Sequence, residues 1–233
     1  MMKMICFGDS VTRGITFVRG RFKIIRENYP ALLQKILGEE DEVINKGVFN
    51  DNSDLLVKRL DHDVLGEKPD VVLINIGGND CNFQWDQVAK LPDSEHVPTV
   101  PLDRYLSNIS LLIQRISETG AMPVILNLLP LDPARYYQSL MKHYSHSIGH
   151  WISMCGGIEH WHGMYNRSLK ELCERTGVKL IDVRSAFKQK GAFSELINED
   201  GLHPTAKGYK ALAEIVSACV PDLRKSVRKL HAV

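Results

Sequence analysis

At 233 residues, with 44% hydrophobic and 24% charged side chains and a formal net charge of +1, the chain has the makeup of one globular α/β domain rather than a disordered, fibrous or disulfide-stapled protein. The balanced charge supplies no field to gather nucleic acid or an anionic membrane, and no apolar run reaches membrane-spanning length. Five scattered cysteines (Cys6, Cys81, Cys155, Cys173, Cys219) with no C-x-x-C pair read as reduced, packed thiols, and "MMKMICFGDS" is interrupted by Gly8 and Asp9 before a secretory apolar segment could form, so a cytoplasmic protein is expected.

In chain order, "KMICF" (3–7) reads as a strand and "YPALLQKIL" (29–37) as a helix with Pro30 in its first turn. "DEVIN" (41–45) is strand-like and "DNSDLLVKRLDHDVL" (51–65) helical. "DVVLINI" (70–76) is the clearest strand, an unbroken aliphatic run of the kind buried on both faces of a sheet, and Gly77-Gly78 follow it. Leu102, Tyr105, Leu106, Ile109, Ile113 and Ile116 recur at helical intervals up to Gly120. "MPVILNLLP" (122–130) is a fourth strand; Tyr165, Leu169, Leu172 and Cys173 mark a helix closed by Gly177; "VKLIDV" (178–183) is a fifth strand. Tyr209, Leu212, Ala213 and Val216 stripe a last helix with Thr205 at its N-cap. The basic stretch "RKSVRKLHAV" (224–233) reads as a solvated end. Repeated strand–helix alternation without a linker predicts one domain, 1–233, with a parallel sheet between two helical layers. Residues 131–163 interrupt the alternation. They are rich in aromatics and histidines (Tyr136, Tyr137, Tyr144, Trp151, Trp161; His143, His146, His150, His160, His162) and are expected to form a lid-like insertion. The histidine spacings match no compact metal signature, so no metal is expected there.

An open parallel sheet binds its ligands beyond the carboxyl ends of its strands, which directs attention to the loops. Gly8-Asp9-Ser10 follows the first strand, Asn45-Lys46-Gly47 the second, Gly77-Gly78-Asn79-Asp80 the third, and Asp200-Gly201-Leu202-His203 comes well after the fifth. Ser10 can be a nucleophile if a base takes its proton. His203 can be that base, with Asp200, three residues away across a turn, orienting its ring. The Asn79 amide, the Gly47 N–H and the Ser10 N–H can hold an oxyanion. Each residue alone reads more readily as a cap or turn residue. Together these residues, from four loops all expected on one rim, point to a serine hydrolase.

These four blocks resemble those of the SGNH hydrolases, also called GDSL-type esterases and lipases, whose Ser, Gly, Asn and His blocks match Ser10, Gly47, Asn79 and His203 in family order from residue 8 to residue 204. The resemblance implies a flavodoxin-like three-layer α/β/α sandwich with a five-stranded parallel sheet. It implies Ser10, His203 and Asp200 as a catalytic triad, with Ser10, Gly47 and Asn79 as the oxyanion hole. It further implies a carboxylic ester hydrolase acting through an acyl-serine on a small-molecule ester, without cofactor or metal. The chain departs from the family pattern at Val11, where leucine is usual, and at Asn50, where a second glycine is usual; asparagine tolerates left-handed backbone. Asp9 and Asp80 are expected to accept backbone hydrogen bonds rather than to catalyse.

A short-acyl or acetyl esterase is the first expectation, and a lysophospholipase or thioesterase of the same family is the alternative. A metal-dependent phosphoesterase would need ligands such as Asp61-His62-Asp63, which on a helix point in different directions. A flavodoxin-like phosphate-binding module would place Asp9 against its own ligand, and "GDSVTRG" lacks the Gly-Lys-Ser/Thr of a phosphate loop. No G-x-S-x-G elbow occurs, which sets the α/β-hydrolase fold aside.

Overall fold

The computed structural model describes residues 1–144 and 147–230. The chain begins with β1 (Lys3–Gly8), a strand whose alternate side chains go to opposite faces: Ile5 and Phe7 join one apolar cluster, Met4 and Cys6 the other, and all four are fully buried. A four-residue helix, α1 (Ser10–Arg13), follows at once. Next comes an antiparallel hairpin, β2 (Ile15–Val18) and β3 (Arg21–Ile24), which forms a small sheet of its own. The helix α2 (Tyr29–Leu37) starts as expected, with the Asn28 side chain accepting from the Ala31 N–H and Pro30 where no donor is needed.

The sheet and its covering helices then alternate: β4 (Glu42–Gly47), α3 (Ser53–Asp63), β5 (Val71–Asn75), α4 (Trp85–Lys90), α5 (Leu102–Glu118), β6 (Met122–Leu126), α6 (Pro133–Met141), α7 (Ile148–Met154), α8 (Ile158–Thr176), β7 (Lys179–Ile181), α9 (Val183–Lys188), α10 (Phe193–Leu196) and α11 (Ala206–Leu230). The main sheet is five-stranded and parallel, in the order β4-β1-β5-β6-β7. One face packs on α3, α5 and α8 through residues such as Leu60, Ile109 and Leu169, the other on α2, α9 and α11 through Leu33, Phe187 and Leu212. This is a three-layer α/β/α sandwich. In such an order the connections diverge between β1 and β5, the place where a doubly wound sheet opens a crevice at its carboxyl edge.

Three sequence expectations need correction. Residues 127–130 do not continue β6: the strand ends at Leu126, where its pairing with β7 also ends, and the chain turns so that Leu128 and Leu129 face a cavity. Gly47 is the last residue of β4, paired with Gly8, rather than part of a loop. The basic end is not a solvated tail as far as Leu230. It continues α11, burying Leu223 and Val227 and pairing Arg224 with Asp41, while residues 231–233 lie outside the described residues.

The 131–163 segment folds as α6, α7 and the start of α8, and it sends Tyr136, Leu140, Ile148, Trp151 and Trp161 into the core beneath. Its start is bound to the loop that carries Asp200 and His203, through Asp132 N–H donating to Gly201 O at 2.8 Å. Gly201 has φ 78°, and a Cβ there would stand 2.3 Å from Tyr136 N and 2.6 Å from Asp132 O. Backbone on both sides leaves nothing flexible to yield. Gly201→Ala is expected to lower stability by roughly 1–3 kcal/mol, read as a drop in the urea midpoint; an unchanged midpoint would refute this close approach.

A second prediction concerns Asp182, which caps α9. Its carboxylate accepts from Ser185 N–H and Oγ, Asn127 Nδ2 and Lys170 Nζ. Burial opposes its charge, but these donors outweigh that and hold the carboxyl at about 2, below its ordinary 3.8. The unfolded chain therefore binds the proton first, so the stabilisation is complete above the ordinary value and fades as pH falls toward the folded one. Asp182→Asn should lower the urea midpoint at neutral pH, and its gap to wild type should narrow on acidification through that window. A gap that does not change with pH would count against this reading.

Candidate active site

The carboxyl edge of the sheet brings together the first and last of the candidate residues. Ser10 opens α1 directly after β1, and Asp9 caps that helix by accepting from Val11 N–H at 2.9 Å. His203 reaches across from the loop before α11, with Nε2 2.9 Å from Ser10 Oγ and Nδ1 2.6 Å from Asp200 Oδ2. A carboxylate at Nδ1 fixes a proton there, which leaves Nε2 to accept from the serine hydroxyl. The other Asp200 oxygen takes the N–H groups of Leu202 and His203 at 3.2 and 3.1 Å, so the turn itself holds carboxylate and ring in register. All three side chains are less than one-tenth exposed.

What holds the two ends of the chain against each other lies outside the four sequence blocks. Thr16 of β2 donates its hydroxyl to Pro204 O and receives the Asn198 amide at 2.7 Å. Tyr209 of α11 donates to Ile15 O at 2.6 Å. Asn198 closes the far side by donating its backbone N–H to His203 O and its side-chain amide to Pro204 O. Phe22 of β3 sets its ring edge-on to His203 at 5.4 Å between centroids, and Phe49 packs on Phe22 in turn. The hairpin thus forms an apolar flank to the imidazole. No periodic pattern marked it in the sequence, because its outward residues Val18, Phe22 and Ile24 are apolar yet exposed.

Asn79 lies on the same rim and lines the same cavity as Ser10. One of its amide hydrogens goes to Asp51 O at 2.7 Å, which orients the group and leaves the second hydrogen available. Asp51 is itself held by Arg59 Nε at 2.7 Å, and the same guanidinium donates to Gly8 O at 3.0 Å beside Ser10. One arginine therefore ties together the loops bearing Ser10 and Asn79.

Gly47 does not join them. Its N–H donates to Asn45 Oδ1 at 2.8 Å, and a Cβ at this position would meet Arg13 N at 2.1 Å and Thr12 C at 2.5 Å. Here the glycine lets β4 lie directly against the backbone of α1. Asn50 adopts φ 64° in a turn closed by Asp51 N–H to Val48 O, the left-handed geometry that asparagine tolerates.

Other expected roles resolve locally. Asp80 accepts from Ser53 N–H at 2.9 Å, anchoring α3. Burial raises Asp9 to about 7, with the Val11 N–H and the nearby His203 opposing the rise, and raises Asp80 to about 6. Asp61 and Asp63 are engaged by Arg115 and Arg59, and His62 bonds to Asp63. Of the 131–163 histidines, His143, His150 and His160 are exposed, His162 is buried, and His146 lies outside the described residues. Among the described residues no three His, Cys, Asp or Glu side chains gather as a metal site. Cys81 also lines the cavity, but burial drives its thiol far above the usual range, so it offers no competing thiolate.

The cavity beside Ser10 measures about 90 Å³ and is walled by Leu128, Leu131, Tyr136 and Trp161 together with the polar Asn82 and His162. Asn82, three residues beyond Asn79, was not singled out in the sequence, and His162 was read only as one of a run of histidines.

Known proteins resemble most of the chain. An acetylxylan esterase from Geobacillus stearothermophilus is 26% identical over 91% of this chain and 90% of that protein. An uncharacterised lipoprotein, YqeF of Bacillus subtilis, is 24% identical over 91% and 86% respectively. Among solved structures, the lipase/acylhydrolase of Enterococcus faecalis superposes with a TM-score of 0.64 at 22% identity, covering 94% of both chains. A catalytic mutant of an acetylxylan esterase from Geobacillus stearothermophilus superposes at 0.62 and 22%, covering 92% of both. These structural likenesses establish the shared fold. The model of the GDSL-like lipase/acylhydrolase family matches residues 6–211, and with most of its length so aligned the chain belongs to that family.

Proposed function

We propose that this carboxylic ester hydrolase removes short acyl groups, acetyl foremost, through an acyl-enzyme on Ser10. One observation carries the reading: the unbroken run from Asp200 through His203 to Ser10 at 2.6 and 2.9 Å, opening on a small cavity. In this mechanism Ser10 Oγ attacks the ester carbonyl while His203 Nε2 takes its proton, and Asp200 stabilises the imidazolium. The Ser10 N–H and the free hydrogen of the Asn79 amide hold the oxyanion. His203 then returns the proton to the departing alkoxide oxygen. A water activated by the same imidazole cleaves acyl-Ser10, releasing the acid and restoring the hydroxyl.

The size of the cavity and the acetylxylan esterases among the relatives support a short acyl group. The chain acts in this proposal as one domain, with 131–163 as a lid-like wall over the cavity. Its five cysteines are all free of disulfides, which supports action in the cytoplasm; among the described residues no helix is long and apolar enough to cross a membrane. A second reading, a lysophospholipase or thioesterase, draws support from Phe22, 52% exposed and edge-on to His203, and from Ile24 of the same strand, 60% exposed, which together offer apolar surface for a longer chain.

Ser10→Ala is expected to abolish turnover of a short p-nitrophenyl ester and labelling by a fluorophosphonate, with an unchanged circular dichroism spectrum; retained turnover would remove Ser10 from the mechanism. Asn79→Ala should raise the barrier by roughly 2.7–4 kcal/mol, seen in kcat, and a normal kcat would remove its amide from the oxyanion site. Across p-nitrophenyl esters of increasing acyl length, kcat/KM should be highest for acetate and fall by about tenfold or more by octanoate, since each added methylene must find apolar space. A rise with length would favour the lysophospholipase or thioesterase reading.

A further inference from the structure

Two side chains on the cavity wall each keep an unpartnered N–H donor. The Asn82 Oδ1 accepts three hydrogen bonds, from Phe83 N–H at 3.0 Å, Trp85 Nε1 at 2.8 Å and Tyr136 OH at 2.7 Å. The first two partners can only donate, so the oxygen of the amide is identified and its nitrogen must lie on the other side. That nitrogen has no acceptor among the described residues. Nor is it sealed in: the sealed, unpartnered side-chain atoms are Asp80 Oδ2, Trp151 Nε1 and Arg224 Nε. It therefore keeps some accessibility, on a side chain that lines the cavity.

His162 follows the same logic. Its Nδ1 stands 3.1 Å from a guanidinium nitrogen of Arg184. Arginine has no acceptor, so Nδ1 must be the accepting atom and the ring proton sits on Nε2. Burial, reinforced by the Arg184 and Lys188 charges, pushes the ring down to about 3, so it stays neutral across the physiological range. Nε2 has no acceptor among the described residues and is absent from the sealed atoms, and His162 lines the same cavity.

We propose that Asn82 and His162 form a pair of hydrogen-bond donors that binds an acceptor oxygen on the substrate's alcohol portion, so that the natural substrates are acyl esters of a neutral polyhydroxy compound such as a sugar. Both acceptor atoms of the pair are tied to protein donors, and both remaining donors are left unpartnered on side chains that line the cavity. Such polarity selects hydroxyl or ring-ether oxygens and gains nothing from an alkyl or aryl group. Two neutral donors, with the Asp9 and Asp200 carboxyls nearby, do not suit an anionic substrate. The apolar Leu128, Leu131 and Trp161 between them can receive the C–H faces of a ring. The inference rests on the proposed role of Ser10 and adds to it the recognition of the alcohol.

The test compares an acetylated methyl glycoside with phenyl acetate, whose leaving group offers no comparable acceptor away from the ester. Asn82→Asp retains the oxygen that Phe83, Trp85 and Tyr136 address and replaces only the unpartnered NH2 by an acceptor. His162→Gln, made separately, decides the matter if the first variant fails to fold. In each folded variant the ratio of kcat/KM for the glycoside to that for phenyl acetate should fall by about tenfold or more, mainly through a higher KM for the glycoside. A ratio equal to wild type, or a wild-type enzyme that cleaves phenyl acetate but no acetylated glycoside, would overturn the inference while leaving Ser10 in place. Ser10→Ala, run alongside, separates the two: residual turnover of both esters there would defeat the reading of Ser10 itself.

Discussion

A hydrogen bond of 2.9 Å between Ser10 and His203 closes a loop of 193 residues, and the rest of the site is arranged around keeping it closed. Neither partner could hold it alone. Ser10 is fixed by β1, a buried strand paired on both sides, and by the Asp9 cap at the start of α1. His203 is fixed by Asp200 and by the three-way join of Thr16, Asn198 and Pro204. Loop-closure entropy grows only slowly with length, so a sheet that already brings these ends to one edge leaves little further ordering to a handful of hydrogen bonds. That division explains why the polar contacts near the site are so densely shared: Thr16, Asn198 and Arg59 each bond to more than one segment.

The two helical layers contribute unequally to the cavity. The layer of α2, α9 and α11 carries the scaffold beneath His203, through Tyr209 and its bond to Ile15. The α3, α5 and α8 layer, extended by α6 and α7, supplies the cavity wall and its polar lining. In that wall the apolar packing and the polar selectivity come from the same residues. Tyr136 is buried in the core, yet its hydroxyl orients Asn82; His162 is buried beside Trp161, yet Arg184 sets its tautomer. Buried polar groups that are satisfied on one side only are costly unless the open side meets water or a ligand. Their persistence beside Ser10 is consistent with binding rather than packing as their purpose.

Gly47 is a motif residue at which strand packing leaves no room for a side chain. Its spacing after the second strand pointed to a donor near the oxyanion, but the donor direction of a backbone N–H depends on local strand geometry. Here Asn45, two residues earlier, bends its own side chain back to take that N–H. The absence of a side chain is what lets β4 and α1 approach at this position.

The repeating aliphatic strands and helical stripes of the sequence determined the layered parallel sheet, because burial on both faces demands that pattern and few other arrangements satisfy it. The order of the Ser10, Asn79, Asp200 and His203 blocks likewise determined which loops share a rim, since every parallel strand delivers its following loop to the same edge. Tertiary structure alone decided the rest. The β2–β3 hairpin bears exposed apolar residues that mimic no core pattern, the basic stretch as far as Leu230 became helix because Leu223 and Val227 found a surface to cover, and the unpartnered donors of Asn82 and His162 took their polarity from partners up to 54 residues away. Orientation of an amide or an imidazole is set by what stands behind it, and that neighbour is chosen by the fold rather than by adjacency in the chain.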